Sequence, residues 1–203
     1  MRAVLAVELQ RGPIERIRTD LVIIGFAPED RPLRRGAGRA DWRLSGELWN
    51  LISSEKLSGA LGEVALLSAR GALRSPLLLV VGLGPRNGLS VEAWRELGRD
   101  TTTRALRLRA ESAVLDLAVD AADAGAEATR ALFCGTAIAV AECRARLRLV
   151  LTGDDAPARL SELRALSQRE LPSGVELQLS DSTARVARSA PISPGDYRHI
   201  DFH

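Results

Sequence analysis

Two short stretches combine residue types and a position suited to holding an anion. Gly82-Leu83-Gly84-Pro85-Arg86-Asn87-Gly88 follows an apolar run and opens a helical pattern. Gly36-Ala37-Gly38-Arg39 follows the apolar run that ends at Phe26 in the same way. Glycines in such loops let the backbone approach a phosphate, and the helix start adds unpaired N–H groups and the positive end of the dipole. Gly36, Gly38, Arg39, Gly82, Gly84 and Arg86 are therefore the candidate ligand-binding residues. The same glycines also suit plain tight turns, and their spacing matches neither the dinucleotide fingerprint nor the phosphate loop of nucleotide hydrolases.

Other chemistry is thinly represented. His199, Asp201 and His203 alternate, so an extended chain would point all three one way, but no further protein ligand is identifiable and no metal site is assigned. Those two histidines are the only ones in the chain, which leaves the body of the protein without an ordinary general base. No Ser/His/Asp or Cys/His arrangement is supported. Cys134 and Cys143 are the only cysteines, within one predicted helix and its exit, and give neither a disulfide framework nor zinc spacing. Trp42 and Trp49 lie seven apart on a predicted helix, placing them on one side. That pair reads either as core beneath a sheet or as aromatic anchors at an interface. Tyr197 and Phe202 add apolar weight to the terminal segment, as in a docking peptide.

The elements that must carry these residues alternate along the chain. Strands are predicted over 3–9, 20–26, 63–69, 76–83, 112–119 and 145–151, the last with Arg on a wet face and Leu inward. The run from Asp20 to Phe26 is almost wholly apolar, as in a strand buried on both faces. A helix from Ala40 turns Leu44, Leu48, Leu51 and Ile52 inward. The best-marked helix begins at Ser90 as N-cap, with Glu92 in its first turn and Trp94, Leu97, Thr101, Ala105 and Leu108 as its inward stripe. Helices are also predicted over 126–142 and over 155–167, the latter capped by Asp154 or Asp155. This alternation predicts an α/β fold, a three-layer αβα sandwich around a mixed, largely parallel sheet. Residues 1–170 form the domain in this reading, and 171–203 a last strand, from Gly174 to Leu179, followed by an extended tail.

The order of these elements resembles a known family. Gly59-Ala60-Leu61-Gly62-Glu63, then a strand, then Leu77-Leu78-Leu79-Val80-Val81-Gly82-Leu83-Gly84, then the Ser-capped helix ending in Thr103-Arg104-Ala105-Leu106 resemble the amino-terminal domain of the leucyl aminopeptidases. The resemblance extends over roughly residues 1–168. It implies a macro-domain-like fold. It also implies that the two-metal chemistry of that family belongs to a second domain, whose lysine and carboxylate ligands have no counterpart after residue 168; Lys56 is the single lysine. The expectation is a non-catalytic assembly, scaffold or regulatory domain, not an enzyme, which acts through a protein partner or self-association. The alternative implied by the resemblance is a binder of ADP-ribose or a related nucleotide-type ligand, although the Asn-rich first loop of such binders is missing after Ile24. No cofactor is expected.

Composition limits the partners. Net charge is only +2, and the arginines are spread among comparable numbers of acids, so nucleic acid is not expected. Charge interrupts the amino terminus too early for a signal peptide, and no apolar run has membrane-spanning length. A cytoplasmic location is the resulting expectation.

Overall fold

A computed structural model describes residues 2–85, 89–117, 121–166 and 170–182, with side chains from Gly125 onward in the third stretch. Among the described residues seven strands form one sheet: β1 (Ala3–Leu9), β2 (Leu21–Phe26), β3 (Val64–Ser68), β4 (Leu77–Gly82), β5 (Ser112–Asp116), β6 (Arg146–Leu151) and β7 (Val175–Asp181). Their order is β3-β4-β2-β5-β6-β1-β7. All neighbours are parallel except the β3–β4 hairpin. The sheet is thus mixed and largely parallel, as the alternation predicts. The strand expected outside residues 1–170 is the edge strand of this same sheet, paired with β1 from Ala3↔Val175 to Leu9↔Asp181.

Strand periodicity divides the core in two. Leu5, Val7, Ile23, Leu79, Leu115 and Leu149 point to one face, under α3 (Val91–Arg107), α4 (Ala121–Glu142, interrupted at Gly125) and α5 (Ala156–Ala165). Val22, Ile24, Leu78, Val80 and Val150 point to the other, under α1 (Arg35–Arg43), α2 (Glu47–Ser53) and the 3-10 turn Ile14–Arg16. Each fully buried aliphatic side chain contributes about 1.5–3 kcal/mol of transfer free energy. The six β2 residues are all buried because both faces are covered at the centre of the sheet.

Local chemistry sets the helices. Ser90 caps α3 by accepting a hydrogen bond from the Ala93 N–H, as its position predicts. Trp94, Leu97, Thr101 and Ala105 are buried, but Leu108 closes the helix with 37% exposure and does not join the stripe. Helices α3 and α4 meet backbone to backbone: a Cβ on Gly135 would lie 1.8 Å from the Arg95 carbonyl oxygen. A buried Thr102–Thr136 hydrogen bond of 3.2 Å ties the same pair.

Several expectations need correction. The single helix from Ala40 is two helices, because Gly46 takes a left-handed conformation (φ 83°) and its N–H closes back on the Asp41 carbonyl. Leu44, Leu48 and Ile52 still point inward. Strand β6 lies between β1 and β5, so its second face is wet only at one end: Arg146 is exposed, Arg148 half-buried and Val150 fully buried. Asp155 starts α5 without capping it, because its carboxylate is taken by two arginines.

Candidate functional site

The carboxyl ends of β2 and β5 lie side by side, and the helices that follow them leave on opposite faces, α1 over one core and α4 over the other. In an open α/β sheet this switch in direction forms the crevice where ligands bind. The glycines expected to line it are placed there by packing within the chain. Gly36, Gly38 and Arg39, expected in a loop, lie inside α1. A Cβ on Gly36 would sit 2.3 Å from Asp116 Oδ2, and one on Gly38 would sit 2.7 Å from the Leu33 carbonyl oxygen. The glycine-rich composition therefore reflects how closely the first turn of α1 approaches the end of β5, not an open loop.

Gly82 closes β4, and Gly84 follows it. A Cβ on Gly82 would lie 2.0 Å from the Ala60 carbonyl oxygen, and one on Gly84 would lie 3.1 Å from Leu61 Cβ. The Gly84 N–H donates to the Gly59 carbonyl (2.8 Å). This glycine pair thus packs on the segment before β3, whereas Gly36 packs on Asp116. Arg86 lies outside the described residues. Arg39 turns to Glu15 Oε1 (3.6 Å) beside the 3-10 turn.

Among the described residues, charged groups at the crevice pair with one another. Asp155 Oδ2 accepts from Arg35 (3.0 Å) and from Arg159 (2.7 Å), the latter side chain being buried, so the starts of α1 and α5 are tied together. The Asp116 carboxylate lies against the first turn of α1, where the positive dipole end would otherwise attract an anion. Sequence reasoning missed this acid, and its signal was a carboxylate closing the apolar run Ser112–Asp116.

Elsewhere a groove of about 530 Å³ runs between α3, α4 and the approach to β7, lined by Val91, Arg95, Arg130, Cys134 and Leu171. Burial and the nearby Glu170 push the Cys134 thiol up against the pull of Arg95, so it stays protonated at neutral pH. Both cysteines are free. Among the described residues no three His, Cys, Asp or Glu side chains converge as metal ligands. No described helix is long and apolar enough to cross a membrane.

The aromatic candidates sit outside both cores. Trp42 ends α1 at 77% exposure and Trp49 lies on α2 at 43%, so the core reading of this pair fails, as does the single helix that was to carry it. Arg43 lies 5.5 Å from the Trp42 ring centroid, a cation–π contact at the surface. The Trp49 backbone N–H donates to Asp41 Oδ1 (3.0 Å), which fixes the corner between the two helices. Leu61 and Leu66, at 47% and 46% exposure, are further exposed apolar side chains, on the segment before β3 and on β3 itself. Sequence reading placed the strand but not its edge position. Tyr197 and Phe202, with His199, Asp201 and His203, lie outside the described residues.

Comparison with known proteins places the chain among relatives. The model of the cytosol aminopeptidase family, N-terminal domain, matches residues 22–140. A probable cytosol aminopeptidase of Alkaliphilus oremlandii is 23% identical over 107 residues, covering 53% of this chain and 21% of that protein. A mutant of tomato leucine aminopeptidase superposes with a TM-score of 0.56 at 18% identity, over 77% of this chain and 35% of the other. The Trypanosoma brucei macrodomain in complex with ADP-ribose superposes with a TM-score of 0.58 at 18% identity, over 79% of this chain and 69% of the other. At these identities the two solved structures establish the fold. The chain spans about a fifth of the length of the curated relative it matches.

Proposed function

The chain belongs to the cytosol aminopeptidase family through the N-terminal domain of that family, and from this premise we propose that it works by protein–protein contact and hydrolyses no peptide itself. The observation that carries the reading is the exposure of Trp42 and Trp49. Of the three tryptophans, Trp94 is 7% exposed, while these two stand on the outer side of α1 and α2 at 77% and 43%. Tryptophan is costly to leave in water and is enriched at the anchors of protein interfaces. Arg43 beside Trp42 fits the same surface chemistry.

Light scattering behind a sizing column tests this, with the chain alone and with a full-length cytosol aminopeptidase added. A mass above the monomer, or co-elution with the enzyme, is expected, with loss in Trp42→Ala/Trp49→Ala. A strict monomer at high concentration that also ignores the aminopeptidase would overturn the reading.

One observation favours a second reading, ADP-ribose or a related nucleotide at the crevice between β2 and β5. Helices α1 and α4 leave those adjacent strands on opposite faces, the geometry of a ligand crevice. It ranks second because the Asp116 carboxylate at the start of α1 would face a phosphate with like charge. Calorimetric titration decides it: no heat and no thermal shift at millimolar ADP-ribose removes it.

A further inference from the structure

The β3 edge of the sheet has the backbone pattern, the side chains and the charge distribution of a self-complementary surface. The Gly82 N–H donates to the Glu63 carbonyl (2.8 Å), and the Ala69 N–H donates to the Pro76 carbonyl (2.9 Å). In an antiparallel pair, the N–H and C=O of one residue point to the same side and successive residues alternate. Odd-numbered residues of this hairpin therefore bond to β4, and Val64, Leu66 and Ser68 direct their N–H and C=O groups away from it. The strand carries none of the usual protection of an open edge, having no charge and no proline within Val64–Ser68. Its central side chain, Leu66, is 46% exposed.

We propose that β3 pairs antiparallel with β3 of a second copy of this chain, centred on Leu66, and so continues the sheet across a two-fold axis. This deepens the contact reading above and rests on it. In that register Leu66 faces Leu66, and Val64 faces Ser68. Every outward N–H in the strand then meets an outward C=O of the other copy. Side-chain parity is kept, because opposed residues lie on the same face of the sheet. The two exposed leucines meet directly, as cross-strand apolar pairs do. Charge argues for a second copy as the occupant. Glu63, which accepts from the Ser58 and Gly59 N–H groups, precedes the strand, and Arg70, 74% exposed and 3.6 Å from Glu47, follows it. Antiparallel self-pairing brings the Glu63 end of each copy beside the Arg70 end of the other, with no like charges opposed. The area of one short strand is small, so the dimer is weak and depends on concentration.

Sedimentation velocity on the full chain tests this between roughly 5 and 500 micromolar, the range in which weak interfaces dissociate. The mass is expected to rise from 21.8 kDa toward twice that value. Leu66→Lys opposes two like charges at the axis, and Ser68→Pro removes one outward donor while leaving every bond to β4. Each is expected to weaken the dimer by about fivefold or more, with unchanged circular dichroism as the check on folding. If Leu66→Lys does not fold, Ser68→Pro decides alone. A mass that stays at 21.8 kDa throughout overturns the pairing, as does a dimer indifferent to the edge variants. In the second case, loss of the dimer in Trp42→Ala/Trp49→Ala would keep the contact reading while the edge assignment falls. In the first case, the contact reading falls only if the aminopeptidase is not bound either.

Discussion

The two edges of the sheet are built differently. At the β7 edge the strand is joined in parallel to β1, and its outer residues include Glu176, Gln178 and Ser180. Gln178 Nε2 donates to Glu176 Oε1 (2.8 Å), and Ser182 just beyond the strand donates to Glu8 Oε1 on β1. At the β3 edge the strand is uncharged, and Leu61 and Leu66 are exposed just before it and on it. An edge dressed with polar and charged groups resists pairing with other chains, and a bare apolar edge invites it. The proposed pairing at the β3 edge rests on this contrast, with the β7 edge dressed for solvent.

The strongest way to break the β3 end is from inside. Gly82→Val would drive a side chain into the Ala60 carbonyl, 2.0 Å from the first added atom. Because that contact is with backbone, relief requires the segment before β3 to move. The expected cost is about 3 kcal/mol or more, read by urea unfolding, and near-wild-type stability would show that this packing is looser than described.

The β7 end is sharpened by pH. Burial raises the Glu8 carboxyl, but hydrogen bonds from Ser182, Gln10 and Arg148 and the charge of Arg148 outweigh it and hold the group below its ordinary value of 4.5. A carboxyl lowered in the folded state contributes stability that is present above 4.5 and lost as pH falls through its folded value. Glu8→Gln is therefore expected to flatten the fall in melting temperature on acidification below about pH 4.5. Equal slopes for the variant and the wild type would remove Glu8 from the account. Glu8 is half-buried but its partner Arg148 is 39% exposed, so solvent screens the pair and the effect stays near or below about 1 kcal/mol.

The smallest effect belongs to the exposed ring at the end of α1. Trp42→Ala is expected to change monomer stability by no more than about 0.5 kcal/mol, since the ring is 77% exposed. A loss comparable to a core truncation would place the ring in the fold and not on its surface.

Much of this was legible along the chain because it is local. The Ser90 cap, the apolar run Leu21–Phe26 and the turn after Ser68 are written in a few consecutive residues each. The candidate ligand glycines were legible as glycines but not by cause. Gly36 is small because Asp116, eighty residues away, lies on it, and Gly82 is small because of Ala60. No short window contains both partners. The core reading of the tryptophan pair failed for a related reason: Ser45 and Gly46 take left-handed conformations and end the single helix that was to carry both rings.

The sequence by itself determined which segments are strands and helices, their alternation, and through Gly59–Leu106 the family to which the domain belongs. Period, caps and turn residues act over one or two turns of chain, and that range suffices for those conclusions. Only the tertiary structure decided which strands are edges, which tryptophans stay in water and what each glycine touches. Those properties depend on strand order, and strand order is set by contacts between residues far apart in the chain. Strand β3, sixty residues from the amino terminus, and β7, the last described strand, become the two edges of one sheet only once the fold has closed.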